Sequence, residues 1–437
     1  MKKWLWIGWI SASLVLAGYY GYTLFQADNK QNLLIGEASH GHFQIELACT
    51  ACHTDAFGGM EAIQKACVGC HAEELEAAHD SHPKKKFTDP RNANLLTVLD
   101  ARYCVSCHTE HQEEQTHPMG VTLPKDYCFH CHQDIGEDRE SHKDLAFDSC
   151  ASAGCHNYHD NRALYEDFLV ENHQGAWVKE LARITTPNAA AKLAPAHIPA
   201  NQPEFPQQLA QHPDIHAEWS ASSHGEAGVS CGGCHADANS KTWIEQPGIE
   251  QCQTCHLNEA DSYKAGKHGM RLAQSLPAIS PADSRMSFKE QSLALHQGCN
   301  SCHSAHSTDT QFAAAQACLG CHNDEHSLAF ERSPHGKLLS EAIAGIRPPE
   351  EAVSCATCHM PREEKTLMGE KVVLVNHNQN DSLRPNEKMI RPVCLQCHNL
   401  EFAIDALADP ALIRNNFSGE PSQHVPSIDW ALLREKK

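Results

Sequence analysis

All 22 cysteines of this chain fall into pairs, and a histidine directly follows the second cysteine of every pair. Ten pairs have the spacing Cys-x-x-Cys-His, and one pair has four residues between its thiols. No cysteine is left over, so one kind of chemistry recurs eleven times along the chain. The sites are Cys49-Cys52-His53, Cys67-Cys70-His71, Cys104-Cys107-His108, Cys128-Cys131-His132, Cys231-Cys234-His235, Cys252-Cys255-His256, Cys299-Cys302-His303, Cys318-Cys321-His322, Cys355-Cys358-His359, Cys394-Cys397-His398 and the stretched Cys150-Cys155-His156.

The spacing of this motif suits covalent attachment of a porphyrin. Residues i, i+3 and i+4 share one face of a helical turn, so the two thiols can reach the two vinyl groups along one porphyrin edge. The adjoining imidazole then turns under the ring toward the iron. Cys-x-x-Cys-His is the signature of c-type haem attachment. The sequence therefore predicts eleven haem c groups, with the motif histidines as proximal ligands.

Three other uses of cysteine explain the pattern less well. Structural disulfides do not require a histidine after every second cysteine. Zinc sites usually separate their histidines by several residues. Dithiol redox motifs occur once or twice in a chain rather than eleven times.

A second set of histidines is available to bind each iron from the other side. Of the 32 histidines, 21 remain after the proximal ligands are assigned, and a six-coordinate haem needs a further axial ligand. Three of them, His111, His159 and His306, follow a proximal histidine by three residues, so we expect each to bind a neighbouring haem. For each candidate the alternative is a surface or propionate-bonded histidine. The distal candidates are His42, His82, His111, His117, His142, His159, His224, His268, His296, His306, His326, His335 and His377.

Composition and charge restrict the class of protein. The formal net charge is −20, which argues against a nucleic-acid partner because phosphate binding needs a basic surface. The mean hydropathy is −0.48, and 13 Phe and 8 Tyr supply few large aromatic side chains. Bound porphyrins would provide the missing apolar mass, so we expect a core packed with haem.

The distribution of the motifs divides the chain. We predict an N-terminal membrane segment at 1–27, a pentahaem module at 28–172, a Pro-rich linker at 173–215 that lacks cysteine, and a hexahaem module at 216–437. The expected fold is mainly α with extensive loops, because strand signals are weak. Helical patterns occur at 161–173, 311–318 and 337–346.

The N-terminus indicates export. After Lys2 and Lys3, the run from Trp4 to Phe25 has no charge and has aromatic side chains at both ends, as in a single-pass transmembrane helix. A cleaved signal peptide is the alternative. Either reading places the haem-bearing part on the periplasmic side of the cytoplasmic membrane.

The C-terminal half, about 216–400, resembles the superfamily of hydroxylamine oxidoreductase, octahaem cytochromes c and pentahaem nitrite reductase. The resemblance rests on Ser223-His224 before Cys231, on Ser333-Pro334-His335-Gly336 after Cys318-x-x-Cys321-His322, and on His377 after Cys358-His359-Met360. The N-terminal half is similar to small multihaem cytochromes, and its stretched site resembles the cytochrome c3 type.

This resemblance implies that one haem lacks a distal ligand and binds a small substrate. By motif order that haem is at Cys252-Cys255-His256, followed by Tyr263 and His268. Two features differ from the superfamily enzymes: the nitrite reductases usually have a proximal Lys, and hydroxylamine oxidoreductases cross-link a Tyr after the last haem. Here every proximal residue is His, and no Tyr follows Tyr263.

Two functions follow from these features, and a haem-filament subunit is a weaker third. The first is electron transfer along the haems between redox partner proteins, from a quinol-oxidising or soluble donor to a periplasmic acceptor or reductase. The second is reduction of an oxyanion such as nitrite at the Cys252 haem. Electron transfer fits a chain of bis-histidine haems, and reduction requires an open iron. We assign no catalytic residue from the sequence.

Overall fold

A computed structural model describes residues 2–25, 27–55, 58–116, 120–139, 142–143, 145–150, 156–160, 166–175, 205–237, 239–367, 369–383 and 386–435. Three predictions concern residues outside these ranges: the haem cysteine Cys155, the distal candidate His117 and most of the linker.

Short helices separated by loops make up most of the described chain, as the sequence predicts. Their bounds are α1 (Lys2–Phe25), α2 (Cys49–Cys52), α3 (Met60–Ala77), α4 (Lys84–Phe87), α5 (Phe129–His132), α6 (Ile135–Asp138), α7 (Glu166–Asn172), α8 (Pro206–Gln211), α9 (Pro213–Ser220), α10 (Ser223–Glu226), α11 (Cys231–His235), α12 (Ile249–Gln253), α13 (Leu257–Ala265), α14 (Met270–Ala273), α15 (Cys299–Cys302), α16 (Thr310–Ala314), α17 (Gln316–Cys321), α18 (Glu325–Ala329), α19 (Pro334–Ile343), α20 (Cys355–His359), α21 (Asn380–Leu383), α22 (Leu400–Ala408), α23 (Pro410–Arg414) and α24 (Ser427–Glu435).

Several of these helices coincide with the cysteine motifs. Helices α2, α11, α15 and α20 each begin at the first cysteine of a motif. At α20 the Ser354 hydroxyl accepts a hydrogen bond from the Thr357 amide at 3.2 Å and so caps the helix. A single helical turn is enough to present both thiols of a motif on one side.

The three predicted helical segments are present with shifted bounds. Helix α19 begins at Pro334, ahead of the predicted start at 337, because Ser333 caps it and Pro334 occupies its first turn. The segment 311–318 is divided between α16 and α17, because Ala315 between them has non-helical backbone angles. Of 161–173, the described part forms α7.

One hairpin departs from the mainly helical pattern. Strands β1 (Arg362–Leu367) and β2 (Glu370–Val375) pair antiparallel, with Arg362 opposite Val375 and Leu367 opposite Glu370. Gly369 in the turn has φ +88°, which a glycine adopts without strain. The hairpin positions His377, which lies two residues after β2 in the second unit.

The chain divides into two compact units, residues 1–163 and 164–437. The boundary precedes the predicted end of the first module at 172. Helix α7 belongs to the second unit because Leu169 packs in a cluster with Ile404 of α22 and Ile428 of α24. Separation of the two modules at the linker stays a prediction.

Buried apolar side chains form only small clusters in the described residues. Besides the cluster around Leu169, one group joins Phe330 to Leu339 and another joins Ile249 to Tyr263. Side-chain packing on this scale leaves much of the chain without a core of its own. The arrangement suits a fold whose interior is completed by bound porphyrin.

The N-terminal helix requires a correction. Helix α1 spans the segment predicted as a membrane anchor, but Trp, Tyr, Gly and Ser residues dilute its apolar character. Within the described residues, no helix combines the length and the apolar character needed to cross a membrane.

Candidate haem sites

Pairs of histidine rings face each other throughout both units. In the described part of the chain, ten of the eleven motif histidines face a second histidine with ring centroids 5.9 to 6.4 Å apart. With the motif residue first, the pairs are His71 and His42, His132 and His82, His108 and His159, His156 and His142, His235 and His306, His256 and His224, His303 and His377, His322 and His268, His359 and His326, and His398 and His335.

The width of this gap fits an iron atom. A metal–nitrogen bond to histidine is about 2 Å long, so two such bonds across one metal hold the ligand nitrogens about 4 Å apart. The rest of the centroid separation is the distance from each ligand nitrogen to the centre of its own ring. The residues present therefore fit a haem iron with two axial imidazoles.

Hydrogen bonds orient several of these rings. The Nδ1 atoms of His82, His235 and His326 lie 2.5 to 2.7 Å from backbone carbonyl oxygens. A carbonyl oxygen only accepts, so Nδ1 carries the proton and donates it, and Nε2 keeps its lone pair. Metal-binding histidines typically make this outer hydrogen bond. The preferred tautomer is therefore the one that leaves Nε2 available to an iron.

Burial keeps the imidazoles in the form that binds metal. The pKa of His268, His303, His335 and His359 falls to about 4, first because burial disfavours charge and then because of the facing imidazole. A neutral ring is the ligating form. These histidines are ready to bind iron at neutral pH without losing a proton.

Carboxylates replace the carbonyls at two pairs in the first unit. Glu110 accepts from His42 Nδ1 at 2.6 Å, and Glu74 accepts from His71 Nδ1 at 2.8 Å. Asp80 lies 3.1 Å from His159 Nδ1. The sequence analysis did not single out these acids. Only Glu74 carries a local signal, since it follows His71 by three residues on α3.

Aromatic side chains pack against three axial rings. Tyr158 stacks on His82 with centroids 4.1 Å apart, and Trp243 stacks on His235 at 4.2 Å. Phe402 stacks on His398 at 4.7 Å. The Tyr158 hydroxyl is buried and has no hydrogen-bond partner among the described residues. A buried hydroxyl of this kind requires an acceptor, and a haem propionate is a suitable one.

Cysteines of successive motifs lie close together in each unit. Three pairs of thiols hydrogen-bond each other, namely Cys67 with Cys104, Cys252 with Cys299 and Cys318 with Cys355. The remaining successive motifs within a unit are linked by weaker electrostatic interactions between their cysteines. These join Cys52 to Cys70, Cys107 to Cys128, Cys128 to Cys150, Cys234 to Cys252, Cys302 to Cys318 and Cys358 to Cys394.

Three distal candidates of the second unit are each followed by a glycine whose backbone packs closely against an upstream carbonyl group. His224, His268 and His335 are each preceded by an aromatic residue five positions earlier and followed by a glycine. A Cβ on Gly225, Gly269 or Gly336 would lie 2.1 to 2.3 Å from the carbonyl oxygen of that aromatic residue. This pattern, an aromatic residue, four others, His and Gly, was a sequence signal for distal ligands that the analysis above missed.

The predicted open site at the Cys252 motif is not assembled. His224 faces His256 at 5.9 Å, and His268 faces His322 of another motif. Tyr263, expected in the pocket, donates its hydroxyl to the backbone carbonyl of His268 at 3.1 Å. The resemblance placed the open iron by motif order alone, whereas in the structure the histidine that faces each motif comes from another part of the unit.

The remaining candidates are placed as follows. His53 is the motif histidine that no second histidine ring faces among the described residues, and it is exposed. His111 donates from Nδ1 to the Gly36 carbonyl at 2.9 Å, in the same manner as the paired histidines. His296 is exposed. His159 and His306, which follow His156 and His303, face the histidines of other motifs.

A family model agrees with the motif in the N-terminal part of the chain. Residues 41–133 match the family model of cytochrome c3, over a span that includes four Cys-x-x-Cys-His motifs. A solved structure of a reducing HAO-like protein complex from Kuenenia stuttgartiensis is similar with a TM-score of 0.27 and 20% identity. The match covers 39% of this chain and 43% of that one, so this chain spans less than half of the other's length. The chain is a multihaem c-type cytochrome.

Proposed function

We propose that this protein transfers electrons along eleven covalently bound haems, most of them held by two histidines. The observation that carries the proposal is the set of ten facing histidine pairs. When bound, haem supplies an iron that gains and loses one electron. Histidines on both sides of the iron leave no coordination position for a substrate, so each such site passes electrons without binding one.

The order of the motifs supports a linear route within each unit. Because cysteines of successive motifs are close, the thioether edges of successive porphyrins would also be close. The i+3 histidines add further links, since His156 and His159 are three residues apart and belong to different facing pairs. Both features support a route that runs from each site to the following one.

Reduction of an oxyanion is less well supported. At its candidate site, the ring of His256 is faced by the ring of His224, with centroids 5.9 Å apart. Tyr263, expected in that pocket, donates to the His268 carbonyl, and Arg271, eight residues later, donates to the Pro277 carbonyl.

The proposed location is the periplasmic side of the cytoplasmic membrane. The uncharged segment after Lys2 and Lys3 supports export, and the net charge of −20 supports basic redox partners over nucleic acid. A donor that oxidises quinol and a periplasmic reductase are the classes of partner we propose. The mass of the mature N-terminus would distinguish a retained helix from a cleaved signal peptide.

One experiment tests the transfer function. The purified holoprotein is reduced with dithionite, freed of excess reductant and mixed in turn with nitrite, with hydroxylamine and with a small basic cytochrome c. We expect rapid reoxidation by the cytochrome and none by the two small molecules. Catalytic turnover of nitrite or hydroxylamine would overturn the proposal.

A further inference from the structure

We infer that Glu110 and Glu74 hold the potential of the haem site between His42 and His71 below the potentials of the His108 and His132 sites of the first unit. The inference rests on the proposed function, because it assumes that these two histidines are the axial pair of one iron. It specifies the direction in which electrons move through the unit.

Both rings of this pair donate to carboxylates. His42 Nδ1 lies 2.6 Å from a Glu110 oxygen, and His71 Nδ1 lies 2.8 Å from a Glu74 oxygen. The two rings face each other with centroids 5.9 Å apart. An iron between them would therefore be flanked by two imidazoles that each share a proton with a negative charge.

The fold fixes Glu110 for this contact. Its second oxygen accepts from the Ser39 amide at 2.6 Å, and the Ser39 hydroxyl donates to the first oxygen at 2.8 Å. Together with the contact to His42, these two hydrogen bonds fix the orientation of the Glu110 carboxylate. Its side chain is 27% exposed, whereas that of Glu74 is 41% exposed.

Other pairs have weaker acceptors. At the pair of His108 and His159, Nδ1 of His108 lies 3.2 Å from the Gly120 carbonyl oxygen, and Nδ1 of His159 lies 3.1 Å from an Asp80 oxygen. At the next pair His82 donates to the Tyr158 carbonyl. In the second unit, Asp324 is 3.7 Å from His322 Nδ1, beyond hydrogen-bond distance.

The group that accepts the Nδ1 hydrogen bond affects the reduction potential of the iron. A carboxylate draws the Nδ1 proton more strongly than a carbonyl, which raises the basicity of Nε2 and strengthens its bond to the metal. Added ligand basicity and nearby negative charge both favour ferric iron over ferrous iron, and so lower the reduction potential. By hydrogen bonds, two carboxylates accept from the pair of His42 and His71, and one accepts from the pair of His108 and His159. At the pair of His82 and His132, His82 donates to a carbonyl. Electrons should therefore move from the His71 site toward the His132 site.

The test is a spectroelectrochemical redox titration of the full-length holoprotein. Glu110→Gln removes the charge and should raise one midpoint potential by about 59 mV, the one-electron equivalent of a tenfold change in the ferric-to-ferrous preference. Glu74→Gln should shift the same midpoint upward by less, because Glu74 is more exposed. Glu110→Asp keeps the charge and should restore most of the wild-type value.

Glu61→Gln is the matched control. Glu61 lies on the same helix as Glu74 but pairs with Lys84 and Tyr103, so its change should leave the midpoint unmoved. An unchanged or lowered midpoint in Glu110→Gln, with all haems retained, would overturn the inference and leave the transfer function standing. His42→Ala tests the assumption separately, because it must create one high-spin haem. If it does not, the axial pairing in the proposed function fails first.

Discussion

His224 lies opposite His256, with ring centroids 5.9 Å apart, although the motif that directly follows His224 in the chain ends at His235. His235 instead faces His306, which follows the later Cys299 motif by three residues. Each of these facing pairs therefore brings two distant parts of the second unit together. Replacing one of these histidines should therefore affect the haem at the motif that it faces, not the haem at the nearest motif in the chain.

Replacing His268 with alanine should create a high-spin haem at the Cys318 motif and leave the Cys252 motif low-spin. The reason is that His268 faces His322 at 6.3 Å. His224→Ala is the matched variant and should open the Cys252 motif instead. Electron paramagnetic resonance of each variant counts the new high-spin iron. Both variants should bind carbon monoxide, each at a haem with a different midpoint potential. If the same haem became high-spin in both variants, the prediction would be wrong.

Adding a methyl group next to a distal histidine should disturb its haem. In Gly269→Ala the new Cβ would be 2.3 Å from the Tyr263 carbonyl oxygen, so the backbone must shift. We expect destabilisation of about 1–3 kcal/mol and partial high-spin character at one haem. Gly298→Ala is the control, since nothing lies within 4 Å of its Cβ position. Equal unfolding midpoints for the two variants would contradict the close-approach argument.

Stability of the C-terminal region should fall as the solution becomes alkaline. Asp429 and then Asp405 raise the pKa of His424 from 6.5 to about 9. Because the folded-state pKa is the higher one, the stabilisation is complete below about pH 6.5 and disappears as pH rises through about 9. Thermal unfolding between pH 6 and 10 should show this loss. His424→Gln should flatten that part of the profile, and an unchanged slope would count against the ion pairs.

The chain should not fold without haem. Its side-chain clusters are small, and many of the buried rings face each other across gaps rather than in contact. Loss of porphyrin would leave too little apolar area to offset the entropy of ordering. Expression in a host that lacks cytochrome c maturation should give a protease-sensitive product with little helix. A stable helical apoprotein would refute the prediction.

The sequence was sufficient for the chemistry but not for the pairing. Cys-x-x-Cys-His identifies the proximal histidines because its spacing is local and belongs to one helical turn. The histidines that face them come from distant parts of the chain, as His377 does for His303, and that pair depends on a hairpin whose strand signal in Val372 to Val375 was overlooked. Glu110 could not be predicted, because its contact with His42 spans 68 residues.

Spin state in the oxidised wild-type protein tests the central claim most directly. Electron paramagnetic resonance, with haem number fixed by intact mass, should show at least ten low-spin haems for every eleven bound. Any high-spin signal should belong to one iron, at His53, and should not change when nitrite is added. Two or more high-spin haems, or a high-spin iron at His256 that binds nitrite, would contradict an electron-transfer chain built on paired histidines.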